Sequence, residues 1–236
     1  MQPKYKRILI KLSGEAFLGK RNSGIDLDAT DKIAHEIEKV QRLGVSIAIV
    51  VGAGNLFRGK TAEHEGMERA TADYIGMLGT IMNAMTLQAS LEARKVPARV
   101  QTAIEIKQVA EPYIRRKAMR HMEKGRIVIF AAGTGNPYFS TDTAAALRAL
   151  ETNCQIILKG TKVDGVFDSD PKVNKLAKKY QSVSFSEALQ KKLGVLDSTA
   201  LALCRDHDLP IIVFDLFKYD NIKRVVMGEK VGTVVR

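Results

Sequence analysis

The chain alternates between two hydrophobic patterns, each typical of one kind of secondary structure. Short runs of consecutive apolar residues indicate strands buried on both faces, whereas apolar residues three or four positions apart indicate amphipathic helices. The runs predict strands at residues 5–12, 45–51, 99–101, 126–131, 155–159, 210–214 and 232–235. Because helical segments separate most of these strands, we predict one α/β domain over residues 1–236, a three-layer αβα sandwich around a mostly parallel central sheet.

Polar capping residues and glycines set the limits of the predicted helices. The expected caps and first-turn residues are Asp28 or Thr30, Pro112, Ser140 or Thr141, Ser186 and Asp197. The expected helix ends are Gly44, Gly125, Leu193 and His207. A long helix is also predicted over residues 68–94, and its methionine-rich apolar stripe is interpreted mainly as core, with part of it serving as a subunit interface.

Composition excludes several classes of protein. Of the 236 residues 45% are hydrophobic, which is enough to fill a core, and no apolar run reaches membrane-spanning length. The first residues lack the pattern of a secretory signal, so we expect a cytoplasmic protein. Cys154 and Cys204 are isolated and are expected to be buried free thiols. The four histidines are scattered, which argues against a transition-metal site built by the protein.

The formal net charge of +11 favours an anionic partner. Charge alone does not separate nucleotide phosphates from a polynucleotide or from simple solubility. The basic groups at residues 115–117, 175–179 and 191–192 are not interleaved with aromatic residues and belong to no nucleic-acid-binding motif. We interpret them as solvated helix faces; a nucleic-acid-binding or regulatory protein is the alternative from another class.

Two of the predicted strands run into the same G-x-G-N turn, at residues 52–55 and 133–136. Glycines let the backbone approach a ligand, and the hydroxyl groups and helix-opening amides that follow the second turn suit a phosphate. Residues 133–142 alone fit an ordinary capped loop equally well. The repetition of the turn at two strand ends favours a binding site, because open α/β sheets bind ligands there. Lys11, near the end of the first strand, could reach a phosphate over such a turn.

Residues 54–61 also match the P-loop pattern G-x-x-x-x-G-K-[ST], and Asp215 could pass for the magnesium-binding aspartate at a strand end. A P-loop should open a helix directly, whereas Gly66 interrupts the chain before helical periodicity begins. The P-loop interpretation also gives no role to Lys11 or to residues 133–142. It is therefore the minority interpretation.

Four segments resemble, in this order, the signature of the bacterial uridylate kinases (UMP kinases), which have the amino acid kinase fold. The segments are residues 11–15, 52–59, 133–142 and 161–166. The resemblance implies magnesium- and ATP-dependent conversion of UMP to UDP in pyrimidine nucleotide biosynthesis; an acylphosphate-forming or carbamate kinase is the competitor within the fold. Ala53 stands where the family usually has glycine, which is tolerable unless this position needs a positive φ.

The resemblance also implies site residues. The catalytic residues it implies are Lys11, Arg58, Asp142 and Lys162, with the cations stabilising the transferred phosphoryl group and Asp142 orienting them or holding magnesium indirectly. The implied ATP-binding residues are Lys11, Leu12, Ser13, Gly14, Gly54, Arg58, Thr161, Phe167 and Asp170. The implied UMP-binding residues are Gly52, Ala53, Asp73, Thr134, Gly135, Asn136, Pro137, Tyr138, Phe139, Ser140 and Thr141, with Asp73 on the ribose.

Oligomerisation and regulation are implied by the resemblance as well. Members of the family are homohexamers, and GTP activation and UTP inhibition are expected by analogy. The residues that correspond to the GTP-linked region are Gly19, Lys20, Arg21, Asn22, Ser23 and Gly24. No residue is assigned as a direct metal ligand, and magnesium is expected to accompany ATP.

Overall fold

The computed structural model describes residues 2–58, 66–171 and 173–236. Residues 59–61, which complete the P-loop match, lie outside these ranges. The strands are β1 (Arg7–Leu12), β2 (Ser46–Val51), β3 (Ala98–Thr102), β4 (Glu111–Pro112), β5 (Ile127–Ala131), β6 (Ile157–Thr161), β7 (Ser182–Val183), β8 (Ile211–Asp215) and β9 (Thr233–Val235). The α-helices in the described ranges are α1 (Leu27–Gln41), α2 (Arg69–Ala93), α3 (Arg115–Glu123), α4 (Thr141–Glu151), α5 (Phe185–Gln190), α6 (Ser198–Asp206) and α7 (Asn221–Val226).

The strands form one sheet in the order β4-β3-β5-β2-β1-β6-β8-β9-β7. All neighbouring pairs are parallel except β8 and β9. Alternate residues of each strand pack on opposite faces: Ile8 and Ile10 contact the core under α1, α2 and α7, whereas Leu9 contacts the core under α3 to α6. The strands are apolar at consecutive positions because helices cover both faces. The predicted three-layer sandwich is confirmed.

Several helix starts differ from the predictions. The carboxylate of Asp26 caps α1 by accepting a hydrogen bond from the amide of Ala29, and the predicted caps Asp28 and Thr30 lie inside the first turn. The cap of α5 is Ser184, two residues before the predicted Ser186. Pro112 does not open a helix, because it lies in the short edge strand β4, where a missing amide hydrogen does no harm.

The other predicted limits are close to those observed. Ser140 caps α4 and Asp197 caps α6, as predicted. The long helix α2 falls within one residue of the predicted range at each end. The strands β4 and β7 and the helix α7 were not predicted, because two-residue strands and a six-residue helix are too short for a period to be recognised.

Two predictions from composition can be compared with the fold. Cys154 and Cys204 are both buried and free, as predicted, and burial raises the pKa of Cys154 to about 11, which keeps its thiol protonated at neutral pH. Within the described ranges, no helix combines the length and apolar character that crossing a membrane requires.

Candidate active site

The parallel register brings the carboxyl ends of the central strands to one edge of the sheet. Leu12 of β1 is paired with Val51 on one side and with Gly160 on the other. The turns after β1, β2, β5 and β6 therefore lie side by side, as the sequence predicted for strands of a doubly wound sheet.

The turns after β1 and β2 touch each other through their glycines. A Cβ atom on Gly14 would lie 2.3 Å from the amide nitrogen of Gly54 and 2.7 Å from the carbonyl carbon of Ala53. The amide of Gly52 donates to the carbonyl oxygen of Leu12 over 2.9 Å. Gly14 is therefore required by close backbone contact.

Ala53 fits this turn without strain. Its φ is not positive, so the position does not need a glycine for its backbone conformation. Its side chain instead packs on Gly79 of α2, where an added Cβ would come within 2.9 Å of the Ala53 Cβ. The absence of a side chain at Gly79 leaves room for the one at Ala53.

We expect Gly14→Ala to disrupt the site because the new methyl group would meet backbone atoms that cannot rotate away. Overpacking of this kind costs about 1–3 kcal/mol, so we expect a lower melting temperature and a large fall in kcat/KM. The measurement is thermal unfolding together with steady-state kinetics. Gly54→Ala is the matched control for stability, because a Cβ at Gly54 would meet no atom within 4 Å. Equal losses of melting temperature for the two substitutions would contradict the contact argument.

A buried pair of asparagines fixes the turn after β2. Asn83 of α2 donates to the carbonyl oxygen of Gly52 over 2.7 Å and to Oδ1 of Asn55 over 2.7 Å. Asn55 in turn donates to the carbonyl oxygen of Gly24 over 2.9 Å. Sequence reasoning missed Asn83, although a polar residue on the buried face of an apolar helix was a usable signal.

Lys11, Asp142 and Lys159 form a buried charged cluster. The Nζ atom of Lys11 lies 2.6 Å from Oδ1 of Asp142, and Nζ of Lys159 lies 3.3 Å from Oδ2. The three side chains are 9%, 16% and 15% exposed, respectively. Burial raises the pKa of Asp142, but the two ammonium groups outweigh it and hold that pKa below its ordinary value. Asp142 is therefore a carboxylate at neutral pH.

Arg58 and Lys162 lie on Glu15 rather than on Asp142. Nη2 of Arg58 is 2.6 Å from one carboxylate oxygen of Glu15, and Nζ of Lys162 is 3.4 Å from the other. Both cationic side chains are about half exposed. They come from the segments after β2 and β6, so two loops supply exposed cations that meet on Glu15. Sequence reasoning gave Glu15 no role.

A cavity of about 170 Å³ collects many of the residues expected on the acceptor side. The expected residues among those lining it are Ala53, Asp73, Thr134, Phe139, Ser140 and Thr141. Oδ2 of Asp73 accepts hydrogen bonds from the amide of Tyr138 over 2.7 Å and from Nε of Arg69 over 2.9 Å. The helix α2 and the loop before α4 are thereby joined across the cavity.

Asp197 is a second residue that sequence reasoning treated only as a helix cap. It accepts hydrogen bonds from the hydroxyl groups of Ser140 and Thr143, the latter over 3.0 Å, as well as from the amide of Ala200. It therefore ties the start of α6 to the start of α4.

Other predicted residues lie in the loop after β6 or at a second cavity. Phe167 forms an isolated bridge with Lys179 in the loop after β6, and Asp170 is exposed in the same loop. Gly19 and Lys20 line a different cavity of about 620 Å³, between α1 and the segment after β8. The cavity near Asp73 and the cavity near Gly19 are thus separate features of the surface.

Comparisons with known proteins agree with this geometry. A profile of the Amino acid kinase family matches residues 6–215. The structure is similar to UMP kinase from Bacillus anthracis, with 42% sequence identity over 98% of this chain and 96% of that chain and a TM-score of 0.95. It is similar to UMP kinase from Ureaplasma parvum, with 39% identity over 98% of this chain and 99% of that chain and a TM-score of 0.92. It is also similar to uridylate kinase from Archaeoglobus fulgidus, with 27% identity over 97% of this chain and 99% of that chain and a TM-score of 0.74. The chain belongs to the amino acid kinase family.

Proposed function

We propose that this protein is a UMP kinase that transfers the γ-phosphoryl group of ATP to UMP, giving ADP and UDP. The observation that carries the proposal is the loop at residues 133–142, which lines the cavity near Asp73 and ends at the charged cluster around Asp142. The similarity to bacterial UMP kinases over 98% of the chain supports it. A carbamate or acylphosphate-forming kinase is less well supported, because this loop has the uridylate pattern.

On the acceptor side, we propose that Asp73 binds the ribose hydroxyl groups of UMP. Its carboxylate lines the cavity and is held by Arg69 and by the amide of Tyr138. Ser140, Thr141 and the first amides of α4 suit the phosphate of UMP, because a helix N-terminus favours an anion. The other proposed UMP contacts are Gly52, Ala53 and residues 134–139.

At the reaction centre, we propose that Lys11 and Arg58 neutralise the charge on the transferred phosphoryl group, with Lys162 as a third cation. The phosphate of UMP is already anionic at neutral pH, so the transfer needs no strong general base. What the protein must supply is alignment of two anions and compensation of their charge. Asp142 holds Lys11 in place. The proposed ATP side comprises Leu12, Ser13, Gly14, Gly54, Thr161, Phe167 and Asp170.

We propose that magnesium enters with ATP, whose phosphate oxygens are suitable ligands. The described residues include no group of three or more histidine, cysteine or acidic side chains placed to hold a metal ion. Both oxygens of Asp142 face lysines, so this carboxylate does not fit a direct ligand. The chain's own contribution is to position the nucleotides and to supply cations.

We also propose a homohexamer in the cytoplasm, with residues 1–236 as one amino-acid-kinase-like domain. An exposed apolar face on α2 supports the assembly: Tyr74, Leu78, Met82 and Met85 are 42–54% exposed and lie on one side of the helix. Activation by GTP, involving residues 19–24, and inhibition by UTP are proposed from the family resemblance. Nucleic-acid binding is not favoured.

The test is ADP release from ATP and Mg²⁺ with a panel of acceptors. The panel contains UMP, CMP, dTMP, AMP, acetylglutamate, aspartate and carbamate. We expect turnover with UMP well above that with every other acceptor, because the loop at residues 133–142 carries the uridylate pattern and contributes to the lining of the cavity near Asp73. Turnover confined to another acceptor, by folded protein that binds ATP, would show that the fold is right and the substrate is wrong.

A further inference from the structure

Lys159 is an unusual residue for its place in the sheet. It lies in β6 directly after Ile157 and Leu158, both of which are fully buried, and its own side chain is 15% exposed. Lysine is rarely buried unless its charge is paired, and an apolar residue would serve the core at least as well. A buried lysine here therefore calls for an explanation beyond packing.

The position of Lys159 relative to Lys11 gives that explanation. The two lysines are register partners on the adjacent parallel strands β6 and β1, so their side chains leave the sheet on the same face. Two ammonium groups side by side repel each other, and the carboxylate of Asp142 between them offsets the repulsion. Each lysine takes a different oxygen of that carboxylate.

Lys159 has a second hydrogen-bond partner besides Asp142. Its Nζ atom donates to the carbonyl oxygen of Val195, in the segment that leads to α6. The ammonium group of Lys159 therefore donates to two acceptors, Asp142 and Val195. The ammonium group of Lys11 has one ionic partner among the described residues, Asp142. Lys11 is the lysine left to meet a phosphate.

We propose that Lys159 is a positioning residue for phosphoryl transfer: it fixes the carboxylate of Asp142 through Oδ2, and Asp142 then holds the ammonium group of Lys11 through Oδ1. This inference rests on the proposed kinase function. Lys159 acts through Asp142 and Lys11 rather than by touching substrate. Its removal leaves Asp142 free to rotate, which moves the ammonium group of Lys11.

The experiment compares Lys159→Met and Lys159→Arg in steady-state kinetics with UMP and ATP. For Lys159→Met we expect kcat to fall by about 100-fold, the effect of a small displacement of a reacting group, with both KM values within about threefold of wild type. Lys159→Arg keeps the charge and a donor for Asp142, so we expect it to recover most of kcat. Melting temperatures are measured for every variant.

A pH profile separates positioning from mere structural support. The charged groups facing the cluster are Lys11 on β1, Asp142 on α4 and Asp197 at the start of α6. Without Lys159, Asp142 loses one of the two cations that keep its pKa low. We therefore expect the acid limb of kcat to move to higher pH in Lys159→Met and to return toward wild type in Lys159→Arg.

Lys39→Met is the matched control, because Lys39 of α1 is another well-covered lysine paired with two carboxylates, Glu36 and Asp220, outside the charged cluster. We expect it to change stability without changing kcat. An unchanged kcat in Lys159→Met, or a raised KM with kcat intact, would overturn the positioning role. The turnover of the wild type with each acceptor tests the proposed function separately. If the wild type turns over only another acceptor, the proposed function is wrong, and the kcat of each variant relative to wild type is then measured with that acceptor.

Discussion

Lys11→Met is expected to lower kcat by about 10²- to 10³-fold, the range for removing one preorganised charge-stabilising group from a reaction centre. Lys11 is 9% exposed on its side chain, so its ammonium group acts in a site with little water, where charge compensation is strong. Methionine keeps the length of the side chain and removes the charge. The buried carboxylate of Asp142 keeps Lys159 as its partner, so we expect the fold to survive.

The measurement is kcat and KM for both nucleotides, with melting temperature as the check on folding. Lys6→Met is the matched control, because Lys6 is exposed in the segment leading into the same strand and lies at the opposite end from the site. We expect Lys6→Met to behave like wild type. A Lys11→Met enzyme within threefold of the wild-type kcat would remove Lys11 from the reaction centre.

The pairing of Lys11 with Asp142 illustrates what sequence reasoning could achieve. Lys11 lies near the carboxyl end of the first predicted strand, and Asp142 lies where a predicted helix begins after another strand. Parallel strands bring their carboxyl ends to the same edge of the sheet. The family resemblance then named the same two residues. The fold class thus brings the two segments to one edge of the sheet, and the resemblance implied that Asp142 orients Lys11; the ion pair between them is seen only in the structure.

The role of Lys159 could not be predicted from the sequence. In the sequence it is one lysine near the end of an apolar run, and such a lysine is more often a solvated strand end. Its importance depends on the register of β1 against β6, which makes it the direct neighbour of Lys11. Register is fixed by packing across the whole sheet, so the sequence of the strand alone does not contain it.

The cap of α1 shows a second limit of sequence reasoning. Residues 26–30 offer Asp26, Asp28 and Thr30, each a good N-cap by residue type. Asp26 is selected because its amide also donates to the carbonyl oxygen of Phe17, which fixes the direction of the chain before the helix begins. A contact distant in sequence thus decides between candidates that are locally equivalent.

Asp142→Asn is expected to lower kcat by about 10³-fold and to destabilise the protein as well. Asparagine has nearly the same shape but no charge, so Lys11 and Lys159 would remain as neighbouring buried ammonium groups without a counter-charge. Breaking a buried ion pair by removing one partner costs about 3–5 kcal/mol. The measurements are steady-state kinetics and denaturant unfolding at pH 7.

The sign of the pH dependence provides an independent check. Because the folded pKa of Asp142 lies below its ordinary value of 3.8, the stabilising contribution of the carboxylate is fully present above that value and is lost as the pH falls through the lower, folded pKa. The stability gap between wild type and Asp142→Asn should therefore be widest near neutral pH and close in acid. A gap that is independent of pH would show that the charge of Asp142 is not its cause.

A double variant tests whether the loss of stability comes from the unpaired lysines. Adding Lys159→Met to Asp142→Asn removes one of the two ammonium groups left without a counter-charge. We expect the double variant to be more stable than Asp142→Asn alone, by more than Lys159→Met changes the stability of the wild type, because contacting residues couple. Its kcat should stay low, since Lys11 still lacks the carboxylate that holds it. Additive losses of stability would instead mean that the cluster is not one electrostatic unit.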